Sequence, residues 1–328
     1  MGFSPSGAVL GHLCDALAGD PRRAHPVAAF GRAAAAAERR LWRDHRAAGA
    51  AHTVLCAGGV AAATAALARA AGRRRAADTA LTAAVTWAVL GGTSLAREAR
   101  AVADALTAGN VGAARARLPH LCGRDPQALD ADGIARAVVE SVAENTSDAV
   151  VGALVWGALA GVPGMAAFRA VNTLDAMVGH RSPRYLRFGW AAARLDDAAG
   201  WPGSRLTAAL AAVLGPDRAG AVRAWRADAQ RHPSPNAGPV EAAFAGALGV
   251  RLGGTLSYGG RVEHRPVLNA AGRAVAVADI ERAVRLSRRV GALALAVALT
   301  GRAAGQAAGR AAAGRAAGGH GGRRHGRL

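Results

Sequence analysis

Glu140-Ser141-Val142-Ala143-Glu144-Asn145-Thr146-Ser147-Asp148 runs without a break into the uncharged stretch Ala149 to Phe168. Arg169-Ala170-Val171-Asn172-Thr173-Leu174-Asp175 follows directly, leading through Met177 to His180 and Arg181. On a continuing helix Glu140, Glu144 and Asp148 share one face, because residues four apart are neighbours. Like charges at that spacing repel unless a cation lies among them. A solvated acidic face is the ordinary reading. Placed at the edge of an apolar run, however, the same carboxylates suit magnesium, which takes carboxylate oxygens together with water and phosphate.

If residues 149–168 crossed a bilayer straight, the acidic cluster and the Asn172–His180 cluster would face opposite sides. Gly161-Val162-Pro163-Gly164 offers another course. Proline removes a helix donor and glycine tolerates a tight turn. Two arms of about thirteen residues, each near 20 Å long at 1.5 Å per residue, would then return the second cluster to the side of Glu144 and Asp148. The sequence predicts this hairpin.

Working outward, Ala47 to Ala68 carries no charge, counting His52 as neutral, and is bounded by Arg46 and Arg69. Its roughly 22 residues match a hydrocarbon core of about 30 Å. Thr79 to Ala96 is a second such run, and the connector holds Arg69, Arg73, Arg74 and Arg75, so the pair reads as a transmembrane hairpin. Leu206 to Pro216 and Val290 to Gly301 are too brief to span unless their flanks extend them. Polar helical connectors separate the runs. Strand signals are confined to a short hairpin near 251–261. The expected fold is mostly α, a polytopic helical membrane protein, with one domain over 1–300 and a low-complexity, disordered basic tail over 301–328.

The 328 residues are 52% hydrophobic, 4% aromatic and 19% charged, with 41 basic against 22 acidic residues and a net charge of +19. Every basic residue is Arg; the chain has no Lys. That excludes a Walker-A phosphate loop and Schiff-base chemistry, both of which need lysine. Cys14, Cys56 and Cys122 stand far apart without a CxxC pair, which reads as isolated buried thiols rather than a disulfide or zinc scaffold. The positive charge does not indicate nucleic acid: the arginines are dispersed, few aromatics interleave with them, and no binding motif appears. They read as residues flanking membrane segments.

Further fragments carry polar groups: Gly19-Asp20-Pro21 with His25-Pro26-Val27 and Gly31-Arg32; Arg194-Leu195-Asp196-Asp197 with Trp201; and Asp228 with His232-Pro233-Ser234-Pro235-Asn236-Ala237-Gly238. The last reads as a rigid turn that starts a helix. Together with Glu140–Asp148, Phe168–His180, Tyr185, Phe188-Gly189 and Glu241–Gly246, these motifs resemble the CobD/CbiB family of cobalamin biosynthesis, the adenosylcobinamide-phosphate synthases. The resemblance covers about residues 7 to 300 in order.

The resemblance implies a multi-pass cell-membrane enzyme that joins adenosylcobyric acid, a corrinoid, to aminopropanol or its phosphate through an amide bond, using ATP and magnesium. A carboxylate must be activated before an amine attacks it, so metal and oxyanion donors are needed. Glu144, Asp148 and Asp175 are the expected magnesium ligands, with Asp175 also catalytic. Arg169, Arg181, Arg184, Asn172 and Asn236 are the expected phosphate- or substrate-binding residues. His180 and His232 are the expected bases for the attacking amine. Two features depart from the family pattern: Pro126 follows Gly123-Arg124-Asp125 where threonine is usual, and the Arg/Gly-rich tail has no counterpart. A polytopic transporter or sensor without turnover is the competing reading, although no inverted hydropathy repeat is visible. Oligomeric state is not specified by these motifs.

Overall fold

The computed structural model describes residues 2–20, 25–258 and 261–321, with side chains outside 128, 255–263 and 309–321. Pro21 of the opening motif and tail residues 322–328 lie outside the described residues. The chain is mostly α.

The N-terminal layer holds α1 (Pro5–Ala18), α2 (Pro26–Leu41), α3 (Arg46–Thr53), α4 (Gly59–Ala71), α5 (Arg75–Val89) and α6 (Gly92–Thr107). Ser4 caps α1 by accepting from the Gly7 amide at 3.2 Å, and Pro5 occupies the first turn, where no donor is lost. His25 Nδ1 caps α2 in the same way, ahead of Pro26. Gly7 and Gly11 let α1 lie directly on α5: a methyl at either would come within 2.5 Å of the Thr79 or Ala83 carbonyl oxygen. Small residues at that spacing allow close helix contact where water is not available to drive association.

Helix α7 (Val111–Arg117) leads to α8 (Ala131–Thr146), which passes through a π-helical turn, Ser147–Val151, into α9 (Gly152–Val178). The predicted hairpin is present within α9. Gly161 has φ 71° and ψ −161°, a conformation open to glycine, and the chain reverses there. The arms pack face to face, since a methyl on Gly152 would fall 2.3 Å from the Phe168 ring and one on Gly157 would fall 2.5 Å from Met165. At the turn the Val162 amide donates to the Gly2 carbonyl at 3.3 Å. The turn therefore lies beside the N-terminus, and both polar clusters lie at the opposite end.

Helices α10 (Trp190–Leu214), α11 (Arg218–Asp228) and α12 (Ala237–Leu248) wrap the open end of this hairpin. Antiparallel strands β1 (Leu252–Tyr258) and β2 (Arg261–Leu268) follow, longer than the hairpin expected near 251–261. Helix α13 runs Ala278–Gly321, so residues 301–321 are helical where their composition predicts disorder. Alanine and arginine are among the strongest helix formers, which favours continuation of a helix already nucleated in the body of the protein.

Among the described residues, four helical segments are long and apolar enough to cross a membrane: Arg46–Ala71, Arg75–Thr107, Ala131–Val178 and Ala278–Ala308. The last contains Val290 to Gly301, lengthened by its flanks. Only 11% of the apolar window in Arg46–Ala71 is buried within the protein, against 61% in Ala131–Val178. The first is thus a lipid-facing layer, which explains exposed Val54, Leu55 and Leu67, while the hairpin is the centre of the bundle. All three cysteines are free, but none is fully buried as expected: Cys14 is exposed, and Cys56 and Cys122 are half-buried.

Candidate active site

The open end of the hairpin encloses a cavity of about 650 Å³. Glu144, Ser147 and Asp148 line it from α8 and the π-helical turn. A π-turn inserts an extra residue into the helical ladder, and such turns concentrate at functional positions. Here it sets Asp148 at the cavity wall. Asp175 enters from the returning arm, with His180 and Arg181 just beyond the helix end. Gly179 makes room for this, because a methyl there would lie 1.8 Å from Asp175 Oδ1.

Asp196 and Asp197 of α10 close a third side. Burial first, and then the Asp175 carboxylate, push the Asp196 carboxyl up to about 7. The Asn172 amide opposes this through a long contact of 3.5 Å to Asp196 Oδ1. Burial also raises Asp197, against the pull of Arg194 and Arg181.

The fourth wall is the His232–Asn236 loop, with Arg265 from β2. Ser234 holds this loop: its Oγ accepts from the amides of Asn236 and Ala237 at 3.3 and 3.1 Å, starting α12 as the sequence predicts. His232 is buried. Its Nδ1 accepts from the Ser234 amide at 3.0 Å, and its Nε2 lies 3.4 Å from Arg265 and 3.8 Å from Glu241. Burial, and then the Arg265 guanidinium, lower the His232 imidazole below its ordinary value, so it is neutral at neutral pH. Asn236 is locked: Oδ1 accepts from Arg205 at 2.9 Å and from Ser204 at 3.2 Å, and Nδ2 donates to the Asp197 carbonyl at 2.9 Å.

Of the residues expected from the sequence, Glu144, Asp148, Asp175, His180, Arg181, His232 and Asn236 converge on this cavity. Three do not line it. Asn172 bridges Arg169 and Asp196 through 3.5 Å contacts behind the wall. Arg169 lines a separate apolar cavity of about 220 Å³ between α2, α4, α5 and α9. Arg184 is directed to α2, where it donates to Glu38 at 3.0 Å and stacks 4.6 Å over the Trp42 ring. The opposite charge and the indole face hold that guanidinium away from the site.

Three charged residues of the cavity carried no expected role. Asp196 and Asp197 were legible as an acid pair, but nothing local tied them to Asp175. Arg265 had no sequence signal, because only the hairpin's fold brings it to α8. Glu140, on the same face as Glu144, serves a structural purpose: buried, it pairs with Arg124 and accepts from the Gly253 amide at 2.6 Å, fastening β1 to α8.

Among the described residues, no three His, Cys, Asp or Glu side chains converge tightly enough to cage a metal ion alone. Glu144, Asp148 and Asp175 therefore line the cavity without forming a closed shell. Magnesium retains waters and phosphate oxygens and needs only one or two carboxylates, so this hard-oxygen donor set fits it.

A family model described as CobD/Cbib protein matches residues 8–287. The chain belongs to the CobD/CbiB family. It is 57% identical over 299 residues to the cobalamin biosynthesis protein CobD of Mycobacterium tuberculosis strain H37Rv, covering 89% of this chain and 95% of that relative. The CobD of Chromobacterium violaceum is 43% identical over 301 residues, covering 88% and 94% of the two chains. No solved structure matches this CobD/CbiB-family chain.

Proposed function

We propose that this membrane protein acts in cobalamin biosynthesis as an ATP-dependent amide ligase, joining a carboxylate of adenosylcobyric acid to aminopropanol or aminopropanol phosphate. The observation that carries this reading is one cavity that gathers carboxylates from three segments beside two arginines and two histidines. The family relationship supports the pathway.

In this scheme a carboxylate oxygen of the corrinoid attacks the terminal phosphorus of ATP, ADP leaves, and an acyl phosphate forms. The amine nitrogen then attacks the acyl carbon, phosphate leaves with its bonding electrons, and the amine gives up a proton. Arg181 and Arg265 provide the cationic charge for phosphate or carboxylate oxygens, with the planar donor geometry suited to both. His180 is the base for the amine proton; its ring stands edge-on to Tyr185, with centroids 4.9 Å apart. Neutral His232 and locked Asn236 keep the loop wall in place.

Glu144, Asp148 and Asp175 would hold the magnesium that neutralises triphosphate charge. The excess of acids over arginines at the wall gives that cation its reason: without it, anionic substrates would meet net repulsion.

The test is an assay of the detergent-solubilised protein with adenosylcobyric acid, aminopropanol phosphate, ATP and magnesium, scored for the amide. Product that requires all four supports the ligase. Binding of the corrinoid without ATP hydrolysis or product would instead favour a transporter or sensor.

A further inference from the structure

The ligase reading leaves unanswered where a lysine-free chain seats a nucleotide. A second cavity, of about 590 Å³, adjoins the first and shares His232, Pro233 and Pro235 with it. Only that loop separates them. Its other side carries Arg205 of α10 with Trp225 and Arg226 of α11. Neither arginine pairs with a carboxylate among the described residues, which is unusual beside so acidic a neighbouring cavity.

Arg205 is fixed rather than mobile. Its Nη1 donates to Asn236 Oδ1 and to Ser204 Oγ, each at 2.9 Å, and its guanidinium lies 4.8 Å over the Trp201 ring. Asn236 faces the first cavity, so this hydrogen bond ties the two sites together. A guanidinium presents five donors, and those not used on Asn236 and Ser204 remain for an anion. Arg226 is exposed and adds a second positive charge one residue from the Trp225 ring.

We propose that this cleft binds the nucleoside triphosphate, the base against Trp225 and the phosphates on Arg205 and Arg226, with the chain directed over the His232–Pro235 loop toward Asp148. Two guanidiniums beside an indole match a ligand that joins a flat heteroaromatic ring to a polyanion. Free phosphate would use the arginines alone. The volume suits a ligand of this size, since small-molecule sites occupy about 300–1,000 Å³. The assignment rests on the ligase reading for its choice of nucleotide, and it predicts binding that does not require the corrinoid.

The experiment measures equilibrium binding of ATP, with magnesium, to the full-length protein in detergent. Arg226→Glu, at an exposed position, should weaken binding at least tenfold. Trp225→Ala should weaken it by about tenfold, the usual loss for a base–aromatic stack, and Trp225→Phe should recover most of it. Adenosine should compete with ATP. Wild-type affinity in both Arg226→Glu and Trp225→Ala, or competition by tripolyphosphate but not adenosine, overturns the cleft. Amide formation alongside unaltered ATP affinity in the variants removes this inference alone. ATP held by these residues without any amide product removes the ligase reading alone.

Discussion

Gly152 sits against the Phe168 ring so closely that a methyl group would fall 2.3 Å from Cζ. This contact closes the hairpin and brings Asp148 and Asp175, on separate arms, to one cavity. Gly152→Ala should therefore cost about 1–3 kcal/mol through overpacking, because buried Phe168 has nowhere to move. Thermal unfolding in detergent measures this. Adding Phe168→Leu should recover part of the loss; additive losses would show that the two residues do not act as a closure.

Asp148→Asn and Asp175→Asn preserve side-chain shape but remove charge from the proposed magnesium site. Each should lower amide formation by about a hundredfold or more, the scale of a lost electrostatic group, while the protein remains folded in the membrane. Near-normal turnover at saturating magnesium would reject the metal role.

Arg181 and Arg184 are close in sequence, but Arg181 lines the cavity and Arg184 turns to Glu38 and Trp42. Arg181→Ala should raise KM for the phosphorylated amine roughly ten- to hundredfold, equivalent to about 1.5–3 kcal/mol for a charged hydrogen bond. Arg184→Ala should leave KM unchanged and only loosen the α2 contact through Glu38 and Trp42. Steady-state kinetics on both variants decides whether the cavity wall or sequence proximity defines the anion anchor.

Glu241 is buried 3.8 Å from His232, and burial, then Glu140 and Glu144, hold its carboxyl well above the ordinary value of 4.5. An acid raised on folding keeps its proton in the native state after the unfolded chain has lost it. Its contribution to stability is full below about 4.5 and is lost as pH rises toward the native value. Glu241→Gln has no such dependence. Its thermal midpoint should therefore gain on the wild type as pH goes from about 5 to about 8. A constant difference across that range would mean Glu241 is ionised in the folded protein.

Glu140 holds Arg124 and the Gly253 amide together in a buried site. Glu140→Ala removes the carboxylate that joins the buried Arg124 guanidinium to the Gly253 amide, a loss of about 3–5 kcal/mol. Protease digestion should then cut first in the β1–β2 hairpin; resistance equal to the wild type would show that the hairpin is anchored elsewhere.

Local patterns were enough for much of this protein. Charge-free runs bounded by charged residues marked the first two spans, Gly161 and Pro163 marked the reversal in α9, and Ser234 with its prolines marked the start of α12. These are properties of neighbouring residues: length against bilayer thickness, backbone freedom, and capping. The motifs also carried the family. Tertiary structure alone decided which of the more distant charged side chains join them in the cavity. Arg184 and Arg265 are chemically equivalent in the sequence, yet Glu38 and Trp42 take the first away while the β-hairpin delivers the second. Electrostatic partnership acts through space, so residues far apart in the chain set which arginine reaches the site.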